Sequence, residues 1–341
     1  MTEHTAGTEP QPATVILPEG GWPEACPLPS GSIIEARQHA VVALQRFVAD
    51  EQLPQGWMSV FPRLVIPMAA WLLSEQRRLG RPLVMAIGGS QGSGKTTFSR
   101  ALRLVLHHCF AVPACVLSLD DFYLSRSSRL ELANSVHPLL ATRGVPGTHE
   151  IEALLECVDA LQAASHDSQT LLPRFDKSRD DRAPTSECTA FQGRPGVIFL
   201  EGWCLGAQPV SEGELALPIN QLEAEHDPEG HWRRYVNEQL AGRYKHLFQR
   251  FDRSLFLQAP SWNAVKRWRL LQEAKLIRNS SDSYRAHLDE GDAFDTFMAH
   301  YERITRRLLD SPPATELRLA LDEQQRLATL TFNSTERYRL G

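Results

Sequence analysis

The chain has 341 residues, of which 42% are hydrophobic and 23% charged, a composition typical of a globular protein with one large domain. Its formal net charge of -5 provides no overall positive field, so we expect neither nucleic acid nor a membrane as a partner. Six scattered cysteines without a C-x-x-C pair argue against a zinc site or a disulfide framework and favour a reducing, cytoplasmic location.

The first 80 residues divide into two regions. Residues 1–30 are rich in Pro, Thr, Glu and Gly without periodicity, which predicts a flexible tail. Residues 31–80 are a predicted helical extension, with apolar residues at helical spacing in Ser32–Asp50 and Phe61–Leu79. Gly80 should end the second helix. The simplest expectation is that this extension covers one edge of a sheet.

From residue 81 onward, short apolar runs alternate with amphipathic helical patterns. Such alternation predicts an α/β fold in which a mainly parallel sheet lies between two layers of helices. Residues 81–341 show no internal repeat and are interpreted as one domain. The predicted strands are Leu83–Ile87, Cys115–Leu119, Val197–Leu200, Ser254–Gln258 and Glu316–Leu321. One predicted helix begins after Lys95, and three others span about 151–161, 261–278 and 292–309.

A phosphate-binding loop follows the first predicted strand. A triphosphate needs many converging N–H donors, and glycines let the backbone curl tightly enough to supply them. The next helix adds its positive end, Lys95 a cation for the β- and γ-phosphates, and Thr96 a hydroxyl ligand for Mg²⁺. The motif therefore predicts a P-loop NTPase-type three-layer fold, with ATP and Mg²⁺ as cofactors. Its nucleotide-binding residues are Gly89, Ser90, Gln91, Gly92, Ser93, Gly94, Lys95, Thr96 and Thr97.

Acidic residues at two strand ends bear on the chemistry. Ligands bind beyond the carboxyl ends of strands in an open parallel sheet. Asp120 and Asp121 follow Cys115–Leu119, where a carboxylate could accept a hydroxyl proton or hold Mg²⁺. A helix N-cap is the alternative role for each. Glu201 follows Val197–Leu200 and is a predicted Mg²⁺ ligand. The chain has no N-K-x-D motif, which counts against a GTPase.

The helix after Pro260 is rich in cations and is interpreted as a helical lid over about 261–290. Arginines that close over a transferring phosphoryl group stabilise the charge that develops on it. A solvated basic face is the alternative interpretation. The cations of this helix are Lys266, Arg267, Arg269, Lys275 and Arg278, of which Arg267, Lys275 and Arg278 share one stripe.

Two polar loops lie between the acidic strand ends. Both contain proline and cationic residues, and their side chains could receive an anionic acceptor. Each position on its own is more often a surface residue than part of a site. The candidates are Arg143, His149, Arg174, Asp176 and Lys177.

Taken together, these segments resemble the plant-type D-glycerate 3-kinases and their bacterial and fungal relatives, over roughly residues 83–330. The wider set is similar to uridine kinase, phosphoribulokinase and bacterial pantothenate kinase. The segments that carry the resemblance are Gly89–Thr96, Leu117–Tyr123, Arg143–His149, Pro173–Ser178, Phe199–Gly206 and Trp268–Glu273.

The resemblance implies a role for each candidate. Lys95 and Thr96 would contact phosphate and Mg²⁺, Asp120 would be the catalytic base and a metal ligand, and Glu201 would belong to the metal shell. Arg267 or Arg269 would act from the lid. The implied acceptor-binding residues are Asp121, Tyr123, Arg143, His149, Arg174, Asp176 and Lys177.

The function that the resemblance implies is transfer of the ATP γ-phosphoryl group to a small-molecule hydroxyl, with D-glycerate as acceptor and 3-phosphoglycerate as product. A nucleoside, a sugar phosphate or pantothenate is the alternative acceptor. An ATP-binding regulatory module without transferase activity is the alternative from another class. The residues leave open whether Asp120 or Asp121 is the base, and they give no indication of the oligomeric state.

Overall fold

The computed structural model describes residues 14–16, 30–53, 57–279, 291–332 and 336–339. The predicted tail lies outside the described residues apart from Thr14–Ile16 and Ser30, and so does the part of the predicted lid after Asn279. The strands are β1 Thr14–Ile16, β2 Leu83–Gly89, β3 Ala114–Ser118, β4 Gln169–Leu172, β5 Phe175–Asp176, β6 Asp181–Arg182, β7 Thr189–Gln192, β8 Val197–Gly202, β9 Arg253–Gln258, β10 Leu317–Leu321, β11 Leu327–Phe332 and β12 Glu336–Arg339.

Eight strands form the central sheet, in the order β1-β12-β11-β10-β9-β2-β8-β3. The strands from β10 to β3 pair in parallel, whereas β11 runs antiparallel to both of its neighbours. The carboxyl ends of β2, β3 and β8 therefore lie side by side at the same end of the strands, where ligands bind in open parallel sheets. The strands β4 and β7, and β5 and β6, form two small antiparallel sheets.

Helices cover both faces of the sheet. Their bounds are α1 Ser30–Asp50, α2 Trp57–Leu79, α3 Lys95–Phe110, α4 Arg126–Ser135, α5 Ile151–Ala163, α6 Glu212–Leu215, α7 Gln221–His226, α8 His231–Gln239, α9 Lys245–Phe248, α10 Trp262–Asn279 and α11 Gly291–Asp310. A π-helical turn, Leu240–Tyr244, joins α8 to α9.

Alternating residues of β2 enter two different cores because successive strand residues face opposite sides. Met85 and Ile87 pack with residues of α1, α2, α3 and α10. Val84 and Ala86 pack with residues of α5 and α9 on the other side. All seven residues of β2 are buried. This burial on both faces confirms the predicted three-layer arrangement.

The N-terminal helices lie on a face of the sheet. Both α1 and α2 pack against α3, and α2 also contacts β2 and β8. The expectation that they cover a sheet edge was therefore wrong, since the described edges are β1 and β3. The second helix ends where predicted, with Gly80 at a φ of +68°. In the part of the chain that the structure describes, no helix is sufficiently long and apolar to span a bilayer.

Candidate active site

The phosphate-binding loop curls at the carboxyl end of β2. Gly92 and Gly94 have φ values of +74° and +91°, which favour glycine. A Cβ atom at Gly92 would also lie only 2.7 Å from Cβ of Trp268 in α10. The hydroxyl oxygens of Ser90 and Ser93 are buried and have no hydrogen-bond partner in the described part of the chain. Buried polar groups normally have partners, so these orphaned hydroxyls indicate that the loop is built to receive a ligand such as a polyphosphate.

The first residues of α3 connect the loop to an acidic strand end. Nζ of Lys95 donates to the Ser90 carbonyl at 2.9 Å. Burial lowers the pKa of Lys95, although the charges of Glu201 and Asp120 oppose that shift. The Thr96 hydroxyl donates to Oε1 of Glu201 at 3.0 Å. A hydroxyl and a carboxylate beside a phosphate loop are the hard oxygen ligands that Mg²⁺ prefers, so these residues fit the predicted ion.

Asp120 lies beside Lys95 with both carboxylate oxygens engaged. The Tyr123 hydroxyl donates to Oδ1 at 2.9 Å, and Nζ of Lys177 donates to Oδ2 at 2.7 Å. Burial alone would raise the pKa of Asp120, but the charge and hydrogen bond of Lys177 outweigh it and hold the pKa well below its usual range. Asp120 is therefore an ionised carboxylate at neutral pH, available to accept a proton once one of its partners moves.

Asp121 has a different environment. Its Oδ1 accepts a hydrogen bond from the Phe175 backbone N–H at 3.3 Å. Burial raises the pKa of Asp121 to about 6 despite that hydrogen bond, and the charge of Asp120 adds to the rise. Asp121 does not line the cleft described below. This geometry makes Asp121 a support for the segment that carries Phe175, and it leaves Asp120 as the carboxylate that faces the loop.

His149 is buried behind Tyr123. The two rings stack with centroids 4.5 Å apart, and Nδ1 of His149 contacts the Tyr244 hydroxyl. That hydroxyl also accepts the Gly147 backbone N–H at 3.2 Å. Burial lowers the pKa of His149 to about 4, against the charge of Asp120. The ring is therefore neutral at pH 7, and it orders the wall that holds Tyr123.

One cleft with a volume of about 500 Å³ is lined by Lys95, Thr96, Asp120 and Glu201. This volume lies within the usual range of small-molecule sites. The lining residues come from the phosphate loop, α10, α11 and the β10–β11 turn, and from the connection between α1 and α2. The side chains that matter here are Leu53, Trp57, Lys95, Thr96, Asp120, Tyr123, Arg143, Lys177, Glu201, Trp203, Trp268, Arg269, Leu271, Gln272, Tyr301 and Gln325.

Comparison with known proteins gives two informative relatives. The chain is 33% identical over 236 residues to the "Uncharacterized kinase mug58" of Schizosaccharomyces pombe, a match that covers 66% of this chain and 83% of that protein. It is 28% identical over 256 residues to the chloroplastic D-glycerate 3-kinase of Arabidopsis thaliana, covering 72% of this chain. That match spans 53% of the plant protein, about half of its length. No protein-family model matches the chain.

The chain belongs to the same kinase family as the S. pombe protein. The solved structure of D-glycerate 3-kinase from Cryptococcus neoformans var. grubii shares its fold, with a TM-score of 0.61 and 24% identity, over 79% of this chain and 99% of that one. The resemblance and the fold class predicted from the sequence are both confirmed.

Several predicted site residues of this family member converge on the cleft, and others do not. Arg143 lines the cleft and forms an ion pair with Asp180. Asp176 accepts hydrogen bonds from Ser178 and orders its own loop, outside the cleft lining. Arg174 is exposed and also absent from the lining. The remaining predicted residues that do not line the cleft are Gly89, Ser90, Asp121, His149 and Arg267.

The two lid arginines face different surroundings. Arg269 lines the cleft, forms an ion pair with Glu273 and lies over the Phe297 ring. Arg267 is 53% exposed and pairs with Glu323 in the β10–β11 turn. Arg267 was predicted to face the site, whereas in the structure its side chain points to the β10–β11 turn. Nothing is described of the side chains of Lys275 and Arg278, which share the stripe of Arg267.

Sequence reasoning missed several residues that line the cleft. Trp203 donates from Nε1 to the Gly144 carbonyl at 2.9 Å. Tyr301 donates to the Arg143 carbonyl at 3.0 Å, and Gln325 donates from Nε2 to the Gly92 carbonyl at 2.8 Å. Trp203 stands directly after Glu201-Gly202, so its position was a usable signal. The other two carry no local signal, since α11 and the β10–β11 turn approach the site only in the folded chain.

Proposed function

We propose that the protein transfers the γ-phosphoryl group of ATP to a hydroxyl of D-glycerate and forms 3-phosphoglycerate. The observation that carries this proposal is the ion pair of Asp120 and Lys177, 2.7 Å apart, inside a cleft that also contains the phosphate loop. A carboxylate beside a mobile cation suits an acceptor that brings both a hydroxyl and a carboxylate. The name of the Arabidopsis relative, a D-glycerate 3-kinase, supports the same acceptor.

Asp120 is the proposed general base. To accept the hydroxyl proton, one of its oxygens exchanges a present partner for the acceptor. Lys177 is the partner that leaves more easily, because 46% of its side chain is exposed and water can solvate the ammonium group when it moves. The ammonium group can then pair with the acceptor carboxylate. The Tyr123 hydrogen bond stays and keeps the carboxylate oriented.

The remaining roles follow from charge. Phosphoryl transfer needs positioning and electrostatic stabilisation more than covalent chemistry by the protein. Lys95 and Arg269 supply positive charge beside the phosphate loop. Thr96 and Glu201, with Asp120, would hold Mg²⁺, which neutralises phosphate charge when bound. In the transfer, the acceptor oxygen forms a bond to the γ-phosphorus, the bond to ADP breaks, and the hydroxyl proton passes to Asp120.

The test of the base is Asp120→Asn, with Asp121→Asn as the matched control. General-base catalysis contributes about 10²–10⁴-fold, so kcat for Asp120→Asn should fall at least about 100-fold while ATP affinity changes little. Asp121→Asn retains an oxygen for the Phe175 N–H and should lose less than about tenfold. Full kinase activity of Asp120→Asn would contradict the base assignment. ATP binding by the wild-type chain without any phosphoryl transfer would instead favour a regulatory module.

A panel of acceptors tests the substrate. We would measure ADP release with D-glycerate, L-glycerate, glycerol, uridine, a pentose phosphate and pantothenate, and identify the product by phosphorus NMR. D-glycerate should give the highest kcat/KM, and the phosphate should appear on the 3-hydroxyl. If another panel member were phosphorylated and D-glycerate were not, that compound would replace D-glycerate as the proposed acceptor, and the proposed kinase reaction would still hold.

A further inference from the structure

The cleft extends to both sides of the phosphate loop, because β3, which leads to Asp120, and the β10–β11 turn, which carries Gln325, lie on opposite sides of β2 in the sheet. The cleft therefore has two ends, and they differ chemically. One end carries the ionised groups Asp120, Lys177 and Arg143. The other end is formed by neutral amide, aliphatic and aromatic side chains, together with Glu51, whose carboxylate already pairs with Arg100 at 2.5 Å. The neutral side chains of this second end are Gln52, Leu53, Trp57, Leu271, Gln272 and Gln325.

Trp57 is the central residue of the neutral end. Its ring packs on Phe61 and Phe98, with centroids 5.2 Å and 6.2 Å away, and its edge lies 3.6 Å from the position of a Cβ atom at Gly94. The side chain is 6% exposed, yet its Nε1 hydrogen has no acceptor among the residues that the structure describes. Buried indole N–H groups usually have a partner, so this donor indicates that a ligand supplies one.

The opposite wall comes from α10. Leu271 is 60% exposed and lines the cleft. An exposed leucine is ordinary on a protein surface, but this one lines the same cleft as Trp57 and Leu53. Gln325 closes the wall and is itself fixed, because its Nε2 group donates to the Gly92 carbonyl of the phosphate loop.

From this arrangement we propose that the nucleoside part of ATP binds at the neutral end, between Leu53 and Trp57 on one side and α10 on the other. The N-terminal helical extension then forms one wall of the nucleotide site. This inference rests on the proposed use of ATP. With its phosphates in the loop, a nucleotide must extend along the cleft towards one end. The charged end takes the acceptor, because Asp120 must reach the acceptor hydroxyl. The purine base and ribose are uncharged, with apolar faces and polar edges, and match the side chains of the other end.

The experiment compares two ligands that share the same phosphates. Mg-ATP and Mg-tripolyphosphate are titrated by calorimetry into the full chain, and only the first carries a nucleoside. Leu271→Ser should weaken ATP binding about three- to tenfold, as expected for losing part of one leucine contact. Tripolyphosphate binding should not change. Leu270→Ser is the matched control, since Leu270 is 49% exposed on the same helix and does not line the cleft.

A second pair of variants tests the other wall. Trp57→Phe keeps the aromatic contacts and removes the Nε1 donor, so ATP binding should weaken while tripolyphosphate binding stays the same. Trp71→Phe is its control, because Trp71 lies in α2, is buried and packs on Phe332 away from the cleft. Circular dichroism establishes that each variant is folded.

The outcomes separate this inference from the proposed function. Unchanged ATP affinity in both Leu271→Ser and Trp57→Phe would overturn the inference and leave ATP use intact. Equal losses for ATP and tripolyphosphate would also overturn it, because the residues would then act on the phosphate loop. A wild-type chain that binds neither ligand would overturn the proposed function, and the inference with it.

Discussion

Asp121 and His149 should give opposite pH dependences to the stability of the fold. Burial raises the pKa of Asp121 from 3.8 to about 6. Burial lowers the pKa of His149 from 6.5 to about 4. Near pH 5 both groups are therefore mainly uncharged in the folded chain, whereas both are mainly charged in the unfolded chain. Each group consequently links folding to pH, and the two links have opposite signs.

The signs follow from which state binds more protons. Between about pH 4 and 6, the folded chain keeps the Asp121 proton that the unfolded chain has lost, so stability falls as the pH rises. Between about pH 4 and 6.5, the unfolded chain keeps a His149 proton that the folded chain lacks, so stability rises. A pKa difference of one is worth about 1.4 kcal/mol, and each group therefore contributes roughly 3 kcal/mol. In the wild-type chain the two contributions nearly cancel.

Replacing one of the pair should expose the contribution of the other. Asp121→Asn retains the acceptor for the Phe175 N–H, and its free energy of unfolding should rise by roughly 2 kcal/mol from pH 4.5 to 6.5 relative to wild type. His149→Asn should show a fall of similar size. The assay is urea denaturation followed by circular dichroism at fixed ionic strength, read as the slope with pH. Parallel slopes in all three proteins would refute the reasoning.

Three further outcomes can be checked by ligand titration and steady-state kinetics. Lys95→Ala should weaken ATP binding and nearly abolish turnover, because it removes the cation of the phosphate loop; unaltered ATP binding would contradict the role of that loop. Arg269→Gln should lower kcat at least about tenfold through lost charge stabilisation, whereas Arg267→Gln should change it less than about threefold, and a reversed order would contradict the assignment. Gln325→Leu should raise KM for ATP more than KM for the acceptor, since only the Gly92 hydrogen bond is lost.

Features encoded locally were predictable from the sequence. The phosphate loop needs a strand, a glycine pattern and a helix in succession, and all are contiguous around Lys95. The parallel sheet then brings Asp120 and Glu201 together, since Asp120 follows β3 and Glu201 is the next-to-last residue of β8, at the carboxyl ends of neighbouring strands. The Thr96 to Glu201 hydrogen bond is the physical result of that rule. These predictions needed only short-range patterns and one topological principle.

Other features depend on orientation and on long-range contacts. Arg267 and Arg269 are two residues apart on α10, which places them about 200° apart around the helix axis. The sequence could not show which of the two arginines lies at the site, because both sides of α10 carry cations and only the folded chain shows which side lines the cleft. The pairing of Lys177 with Asp120 joins residues 57 positions apart. The sequence marked both residues as candidates, but their contact is set by the fold.

The phosphate loop and the lid helix are held as one unit, and this constrains how the site can close. Trp268 lies directly on Gly92, and its Nε1 group donates to the Glu323 carbonyl at 3.2 Å. Gln325 binds the Gly92 carbonyl from the same turn. A rotation of the whole helix would break the contacts of Trp268 with Gly92 and Glu323. If α10 acts as the predicted lid, we therefore expect its movement to be confined to the part after Trp268, which begins with Arg269, the arginine that lines the cleft.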